Sequence, residues 1–413
     1  MRLAIATLAL ALTGCGPGLP AAAPSASPPA PRGTIAIGVE APLTGAEAVE
    51  GTPVLDGVRF AVGRQPVVGG FALTVRAFDN SVAGVHNAQR GRQNLELLAA
   101  DQHVLGVIGP FNASVAVAAI PVSAAAHLPL VSPATSNPCL TRDLPFCAGL
   151  ATRLRQGQPV SFFRVAGTDD LQGPVMARYA RERLKLESVA VSSDGEIHGR
   201  LLADGFQAEF ERLGGRVPVR TNFDPNLVPD FTGFLSQARQ GRAQAVYFGG
   251  TVASRGCQLR AQMKEFFPVS TPELGGEGIA LDRECLRLAG SNASNLQGTV
   301  VSVNADALPA ARPVVAAFKK EFPNRQDYNV YTIPAYDAAR ALIAAIERAI
   351  EAAGGELPSR EQVRAQLAAT RDFPGTTGRF SFDVNGDTTL RYVSVYETRG
   401  APVDWVFVTQ YAV

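Results

Sequence analysis

The run Thr34-Ile35-Ala36-Ile37-Gly38-Val39 decides how this chain of 413 residues begins to fold. It carries no charge, and a loop rich in Gly and Pro separates it from a helical pattern at residues 53–64. A short apolar run of this kind is typical of a strand that is buried on both faces of a parallel sheet. The run therefore predicts the first strand of an α/β unit.

The alternation of short apolar strands with helices continues along the chain. Further strands are predicted at 73–78, 104–108 and 128–131, with helices at 88–100 and after Gly109-Pro110. The rhythm restarts with strands at 188–191, 216–219 and 245–248 and helices at 199–213, 231–240 and 256–267. A last region adds strands at 298–301, 380–382, 391–396 and 404–408 and helices at 336–353 and 361–369. This order predicts two α/β units with parallel sheets, between which the chain crosses more than once.

The composition is that of a well-folded globular protein. Hydrophobic residues make up 46% of the chain and charged residues 18%, which excludes a disordered polymer. The net charge of +1 gives no indication of nucleic-acid binding or of electrostatic membrane binding. Residues 33–413 are too many for one ordinary hydrophobic core, so two domains are predicted.

The N-terminus has the features of an export signal. Arg2 precedes the apolar stretch 3–12, and Leu12-Thr13-Gly14-Cys15 closes it, which resembles a bacterial lipoprotein signal. The prediction is a signal peptide at 1–14 and a lipidated Cys15 on a Pro/Ala-rich tether at 15–32. The protein would then be lipid-anchored in the cell envelope, on the extracytoplasmic face of a bacterial membrane. An ordinary signal peptide and an uncleaved anchor are the alternatives.

The other four cysteines indicate disulfides, because their number is even and the protein is predicted to be exported. Closing the shorter loops gives Cys139–Cys147 and Cys257–Cys285, which is one of three possible pairings. A zinc site is the alternative, but the spacing contains no CxxC pair and no paired histidines. No metal site is predicted.

Three loops follow strands where an open parallel sheet binds its ligands, outside the carboxyl ends of the strands. The loop at 110–114 starts a helix and suits a carboxylate, unless Asn112 or Ser114 only caps that helix. The loop at 132–138 is rich in proline and hydroxyl side chains, as ordinary turns also are. The loop Gly275-Gly276-Glu277-Gly278 places one carboxylate among glycines. It could face an ammonium group or remain a solvated charge.

Taken in order, these motifs resemble the type I periplasmic binding proteins of branched-chain amino acid transport, the leucine/isoleucine/valine-binding family. The resemblance covers nearly the whole mature chain. The matching stretches are residues 41–45 (APLTG), 107–110 (VIGP), 132–138, 163–173 (FRVAGTDDLQG), 246–250 (VYFGG), 336–339 (YDAA) and 378–383 (GRFSFD).

The resemblance implies an α/β fold of two doubly wound parallel-sheet lobes, joined by three crossover segments and closing on a ligand as a hinge. The crossovers would lie near Ala166, Ser302 and Phe373. Lobe 1 would then comprise residues 33–165 plus 303–372. Lobe 2 would comprise residues 166–302 plus 373–413.

The resemblance also implies how an amino acid is held. Its carboxylate would meet the loop at Ala113-Ser114 and the backbone near Thr135-Ser136. Its ammonium group would meet Thr135-Ser136 and Glu277. Each charge of such a ligand is desolvated on binding and therefore needs a fixed partner.

Several positions depart from the family pattern. Glu50 and Thr251 stand where the family often has aromatic residues, His198-Gly199 replaces its usual Tyr-Gly, and Ala113 replaces the first serine of a Ser-Ser pair. Together with Tyr331, these positions complete the predicted ligand-binding set. They predict a ligand more polar than leucine, cationic ligands included. Alternatively, Glu50 lies on the outer rim in water, and His198 is a packing or capping residue.

The predicted function is substrate binding for an ABC importer. The protein would act as a monomer that captures a small amino-acid-like solute between its lobes and delivers it to permease and ATPase subunits. It would need no cofactor, bind no nucleic acid and contact the membrane only through its lipid anchor. A ligand sensor that works with a separate signalling partner is one alternative.

An exported hydrolase is the other alternative, and the sequence argues against it. The chain contains neither Gly-x-Ser-x-Gly nor His-Glu-x-x-His, and its four histidines are scattered. The segment Asp383-Val384-Asn385-Gly386-Asp387 briefly follows calcium-ligand spacing but lacks the terminal Glu of such a loop. It is better interpreted as a hairpin turn. The chain is therefore predicted not to be an enzyme.

Overall fold

The computed structural model describes residues 30–224 and 230–413. The predicted signal peptide, Cys15 and the tether up to residue 29 lie outside the described residues. None of the helices in the described ranges combines the length and the apolar character needed to cross a bilayer.

The first part of the chain forms a six-stranded sheet with helices on both faces. Its strands are β1 Thr34–Ala41, β2 Val67–Val68, β3 Phe71–Asp79, β6 Val104–Ile108, β7 Leu130–Ser132 and β8 Phe162–Arg164, with a small hairpin of β4 Ser81–Val82 and β5 Val85–His86. Its helices are α1 Ala48–Arg64, α2 Ala88–Ala100, α3 Ala113–Ala125 and α4 Leu150–Arg155. The strand order is β2-β3-β1-β6-β7-β8, and all neighbours except β2 and β3 are parallel.

Strand β1 is buried on both faces, as its sequence predicts. Ile35 and Ile37 point into the core on one side of the sheet. Ala36 packs on the other side against Leu95 and Leu98 of α2. Successive side chains of a strand point to opposite faces, so an apolar run without alternation fits a sheet that is covered on both sides.

The middle of the chain builds the second lobe. Its strands are β9 Val189–Ser193, β10 Arg220–Asn222, β11 Ala245–Gly249, β12 Glu273–Gly275 and β13 Leu296–Val300. Its helices are α5 Gln172–Glu182, α6 Ile197–Arg212, α7 Thr232–Gln240, α8 Gly256–Met263 and α9 Arg283–Ala289.

The last part of the chain serves both lobes. Helices α10 Arg312–Glu321, α11 Thr332–Ala352 and α12 Arg360–Ala368 precede the hairpin of β14 Phe373–Gly375 and β15 Gly378–Phe380. Strands β16 Tyr392–Arg399 and β17 Asp404–Ala412 then join the second sheet in antiparallel pairing. The second sheet has the order β10-β9-β11-β12-β13-β16-β17. Two doubly wound α/β lobes confirm the predicted fold class.

The first two passages between the lobes lie at residues 165–167 and 301–302. The N–H of Val165 donates to Ser132 of the first lobe at 3.0 Å, whereas the N–H of Gly167 donates to Val301 of the second lobe at 3.3 Å. Val165 and Gly167, which are two positions apart in the chain, therefore bond to different lobes, and Val301 itself lies at the end of the second-lobe sheet.

The third passage lies further along the chain than the expected boundary at Phe373. Phe373, Phe380 and Phe382 belong to the core of the first lobe, where the rings of Phe163 and Phe382 lie 5.2 Å apart. The turn that follows stays in this lobe too, because Asp387 accepts a hydrogen bond from the buried Arg164 at 2.7 Å. Burial of three phenylalanine rings holds this segment in lobe 1, and the chain enters the second sheet only with β16.

Residues 383–387 form the predicted turn. Phe382 and Thr388 form an antiparallel bridge, and the N–H of Gly386 donates to Asp383 at 3.1 Å. Gly386 has a φ of +90°, a conformation that glycine adopts at low cost. Among the described residues, no group of three or more His, Cys, Asp and Glu side chains is arranged to hold a metal ion.

Both predicted disulfides are confirmed. Cys139–Cys147 closes a loop directly after residues 132–138, and Cys257–Cys285 links α8 to α9. Their sequence separations of 8 and 28 residues are the short closures on which the pairing was predicted.

Candidate ligand-binding site

The loops after β6 and β7 are joined to each other at the carboxyl edge of the first sheet. The hydroxyl of Ser132 donates to the carbonyl of Pro110 at 2.6 Å. The hydroxyl of Thr135 donates to the same carbonyl at 2.7 Å. The two loops therefore form one rigid rim on the first lobe, beside the start of α3.

The start of α3 offers backbone donors without a side-chain cap. Asn112 is the N-cap residue, but its side chain makes no capping hydrogen bond, so the capping alternative does not hold for Asn112. The helix begins at Ala113, which is partly exposed, and Ser114 is exposed. Free N–H groups and the helix dipole favour a carboxylate at this point.

Thr135 holds the rim together, and all its polar groups have partners within the protein. Its N–H donates to the hydroxyl of Ser132 at 2.9 Å, and its own hydroxyl donates to Pro110. Its carbonyl accepts a hydrogen bond from Arg164 at 3.2 Å. A ligand contact at Thr135 would have to replace one of these bonds, whereas sequence reasoning treated the residue as free to bind.

Ser136 and Glu277 connect the two lobes directly. The hydroxyl of Ser136 donates to Oε1 of Glu277 at 2.5 Å. The N–H of Glu277 donates to the side-chain oxygen of Gln172 at 2.9 Å, which fixes the loop after β12. Glu277 is only partly exposed and faces the other lobe, so it is not a charge on a solvated loop.

Glycine at position 276 allows this close packing. A Cβ atom there would lie 2.6 Å from Leu202 and 3.0 Å from the side-chain oxygen of Gln172, too close for any other residue without a shift of these neighbours. The Gly-Gly-Glu-Gly loop therefore places its carboxylate against α5 and α6.

Asp169 and His198 form an ion pair beside Glu277. Nδ1 of His198 lies 3.2 Å from Oδ2 of Asp169, and Nε2 of Gln172 donates to Oδ1 of Asp169 at 2.9 Å. The N–H of Asp169 donates to the carbonyl of Ser136 at 2.9 Å, which makes a second bond between the lobes. His198 thus lies within the cleft cluster and is not a capping residue.

The pKa values of these three side chains are shifted by their contacts with one another. Burial, and then the nearby Asp169, raise the pKa of Glu277 above its ordinary value. Burial would lower the pKa of His198, but the Asp169 carboxylate outweighs it and raises that pKa. Burial would likewise raise the pKa of Asp169, yet the imidazolium of His198 and several hydrogen bonds hold it low. Asp169 and His198 are therefore the charged pair at neutral pH.

Tyr331 and Glu50 complete the acidic side of the cleft. The ring of Tyr331 packs edge-on against Phe111 with centroids 5.0 Å apart. Burial, and then the charges of Glu277 and Glu50, raise the pKa of its hydroxyl well above the ordinary value. Burial, and then Glu47 and Asp282, raise the pKa of Glu50 to about 7. Glu50 is therefore not on an outer rim in water, because it is partly buried and close enough to Asp282 of the second lobe for that charge to raise its pKa.

Thr251 supports the neighbouring turn. Its N–H donates to the hydroxyl of Ser254 at 2.7 Å, and its own hydroxyl accepts a bond from the N–H of Ser254 at 3.2 Å. The N–H of Val252 donates to the carbonyl of Gly278 at 2.9 Å. Thr251 thus lies next to the Glu277 loop with its hydroxyl already bonded.

Sequence reasoning missed Asp169 and Gln172 as site residues. Both lie in the stretch 163–173 that matches the family pattern, but no local feature separates them from a helix start. Gln172 bonds to both Asp169 and Glu277. In the sequence, its position soon after the predicted crossover near Ala166 was the feature that could have indicated this role.

Known proteins resemble this chain over most of its length. The sequence profile of the periplasmic binding protein family matches residues 34–401. Leu/Ile/Val-binding protein homolog 3 of Brucella melitensis is 31% identical over 364 residues, which cover 86% of this chain and 88% of that protein. Leu/Ile/Val-binding protein BraC3 of Rhizobium johnstonii is 27% identical over 374 residues, which cover 89% and 93%.

Solved structures share the fold. The leucine-binding protein LivK of Thermotoga maritima superposes with a TM-score of 0.69 at 25% identity, covering 91% of this chain and 98% of that one. A solute-binding protein of R. palustris in complex with 4-hydroxybenzoate gives a TM-score of 0.68 at 17% identity, covering 92% and 97%. The predicted resemblance is confirmed over residues 34–401. The chain therefore belongs to the periplasmic binding protein family.

Proposed function

We propose that this protein is the substrate-binding component of an ABC importer and captures a small amino-acid-like solute between its two lobes. The ligand's ammonium group would bind Glu277 and Ser136. Its carboxylate would bind the N–H groups at Ala113-Ser114. Closure of the lobes as a hinge would present the loaded form to the permease.

The observation that carries this proposal is the hydrogen bond from Ser136 to Glu277 across the lobes. It brings a carboxylate of lobe 2 to the rim of lobe 1, beside the uncapped start of α3. An α-amino acid carries an ammonium group next to a carboxylate, so it matches a negative group and a helix N-terminus on opposite lobes. Leucine-, isoleucine- and valine-binding names among the relatives support the same ligand class.

Attachment and partners are part of the same proposal. A lipid on Cys15 and the tether that follows it would confine the protein near a permease and raise its local concentration. It would act as a monomer outside the cytoplasm and would have no catalytic role. Two lobes joined by several chain crossings support transport by hinge closure, a process in which the ligand undergoes no reaction.

We extend the proposal to ligands more polar than leucine. Glu50 adds a partly buried carboxyl group whose pKa is raised by burial and by the nearby charges of Glu47 and Asp282. A basic or polar ligand side chain would offset that charge, whereas an aliphatic one would leave it unpaired. Titration calorimetry with L-leucine, L-glutamine, L-arginine and putrescine tests this extension. Tight leucine binding with no response to the basic probes would contradict it.

Replacement of Glu277 tests the core of the proposal. Glu277→Gln should weaken the binding of any α-amino ligand by about 1–3 kcal/mol, because a charged hydrogen bond to the ammonium group is lost. Glu265→Gln makes the same chemical change at an exposed position of the same lobe and should leave the dissociation constant unchanged. Calorimetry with the tightest-binding probe measures both variants. An unchanged dissociation constant in Glu277→Gln would contradict the assignment of this loop.

A further inference from the structure

We propose that Asp169 and Glu277 hold one proton between them and that the ammonium group of the ligand replaces it, so that each binding event releases a proton. The inference rests on the proposed function, since it concerns the same cleft. It narrows the ligand class to solutes that bear an ammonium group.

The positions of the two carboxyl groups carry the argument. Ser136 bonds to both residues, because its hydroxyl donates to Oε1 of Glu277 at 2.5 Å and its carbonyl accepts from the N–H of Asp169 at 2.9 Å. Two ionised carboxylates held side by side in a partly buried cleft repel each other, so one of them retains a proton. Gln172 holds both partners in place, because its amide donates to Asp169 and accepts from the N–H of Glu277.

His198 determines which carboxyl group keeps the proton. Its ring lies 3.2 Å from Asp169 and keeps that side chain ionised, which leaves the proton on Glu277. Shifted pKa values in the cluster agree with this assignment, since burial and Asp169 raise the pKa of Glu277. The other titratable groups that act on the cluster from neighbouring elements are Asp194, Tyr331 and, through Tyr331, Glu50.

The exchange balances in atoms and charge. Before binding, the cluster holds a protonated Glu277, the Asp169 anion and the His198 cation, which sum to no net charge. When an ammonium group arrives, the O–H bond of Glu277 breaks, its proton goes to solvent, and the new carboxylate pairs with the ligand cation. The buried cluster is neutral before and after, so neither state leaves an uncompensated charge.

This exchange favours ammonium ligands over solutes of similar shape that lack the cation. A carboxylic acid without an amino group gives Glu277 no reason to ionise, so it would leave the proton in place. The cleft would then contribute no charge pair to its binding. We therefore expect L-leucine to release a proton and 4-methylpentanoate, which has the same carbon skeleton without the amino group, to release none.

Calorimetry in buffers of different ionisation enthalpy counts the proton. For L-leucine or L-arginine at about pH 6, the wild type should release about one proton per ligand. Glu277→Gln should release none and bind about ten- to a hundredfold more weakly, and Glu265→Gln should match the wild type. Binding of these probes without proton release would overturn the inference while leaving the proposed function intact.

Infrared difference spectroscopy tests the proton without any ligand. The spectrum of wild type minus Glu277→Gln should show the C=O stretch of a protonated carboxyl at about pH 6 and lose it at high pH. His198→Gln should move the pH at which this band disappears upward, because the cation that favours ionised Glu277 is gone. A purely structural role of His198 would not move it. Absence of the band at about pH 6 would overturn the inference, whether or not any of the probes binds. Failure of all the probes to bind would instead contradict the proposed function.

Discussion

Glu40 is an ionisable side chain at the end of β1 that is 1% exposed. It points into the layer between the sheet and helices α2 and α3, beside Asn80 and Asn94. Burial raises its pKa from 4.5 to about 7, although the two asparagine side chains partly offset this effect. Glu40 is not among the proposed ligand-binding residues, so we expect its ionisation to affect the stability of the fold.

The sign of that effect follows from the raised pKa of Glu40. Between pH 4.5 and about 7, the folded protein binds this proton and the unfolded chain does not, so stability falls as pH rises through this window. Glu40→Gln cannot ionise and should gain about 1–3 kcal/mol in unfolding free energy at pH 8 relative to wild type, and much less at pH 4.5.

Urea unfolding of both proteins at the two pH values measures this difference. Glu356→Gln, at an exposed position, should change the unfolding free energy at neither pH. Equal stability of Glu40→Gln and wild type at pH 8 would show that Glu40 ionises inside the fold without cost.

At this same scale, the sequence identified some site residues and missed others. Glu277 and His198 could be named because they stand at positions of a known pattern. Asp169 could not, since nothing local distinguishes a buried aspartate from one that starts a helix. Its role appears only where the fold brings α5, α6 and the Glu277 loop together. Thr135 shows the converse case, because its hydroxyl and its carbonyl already have partners, Pro110 and Arg164, that lie far away in sequence.

The two disulfides restrain different elements of the fold. Cys139–Cys147 closes the loop that follows Ser136, and Arg142 within this loop pairs with Asp170 at 2.8 Å. Cys257–Cys285 joins α8 to α9. The first disulfide therefore restrains a binding element, and the second restrains the packing of two helices.

Removal of each disulfide should have a different main effect. From the loop lengths, Cys257→Ser with Cys285→Ser should cost about 3–4 kcal/mol of stability, and Cys139→Ser with Cys147→Ser about 2–3 kcal/mol. Only Cys139→Ser with Cys147→Ser should also weaken ligand binding, because the loop that directly follows Ser136 loses its restraint. Thermal unfolding and calorimetry of the two double variants separate these effects. Equal losses of affinity would contradict the distinction.

Two elements have boundaries that differ from those predicted from the local sequence. The predicted strand at 216–219 lies earlier than β10, and Arg216 forms only an isolated bridge, because Pro218 has no N–H to donate to the ladder. The predicted helix at 53–64 begins at Ala48 instead. Gly51 allows the additional turn to pack against the carbonyl of Pro42, which a Cβ would approach to 1.9 Å. The strand boundary follows from Pro218 in the sequence itself, whereas the earlier helix start depends on packing against Pro42, which the local sequence does not show.

The two lobes are connected by three chain passages and by hydrogen bonds through Ser136. A ligand that contacts both lobes stabilises the closed arrangement only by its additional contacts in that arrangement. Each lobe has its own core, so the proposed hinge closure would move each lobe as a unit.

Hinge closure predicts a change in overall size. Saturation with the tightest-binding probe should lower the radius of gyration in small-angle scattering, and at about 100 times the dissociation constant it should add about 2.7 kcal/mol to stability. Glu277→Gln at the same probe concentration should show a smaller change, and Glu265→Gln the full one. A bound ligand that leaves the radius of gyration unchanged would contradict closure of the lobes.

The sequence by itself determined the two α/β lobes and the family, because apolar periodicity and motif order are local or sequential properties. Cysteine spacing favoured one of three disulfide pairings, and the structure confirmed it. The sequence did not determine the third passage between lobes, since only tertiary packing places Phe373, Phe380 and Phe382 in the first core. Nor could it determine the cluster of Asp169, His198 and Glu277. Their charges depend on one another through space, and residues distant along the chain meet there only when the two lobes fold side by side.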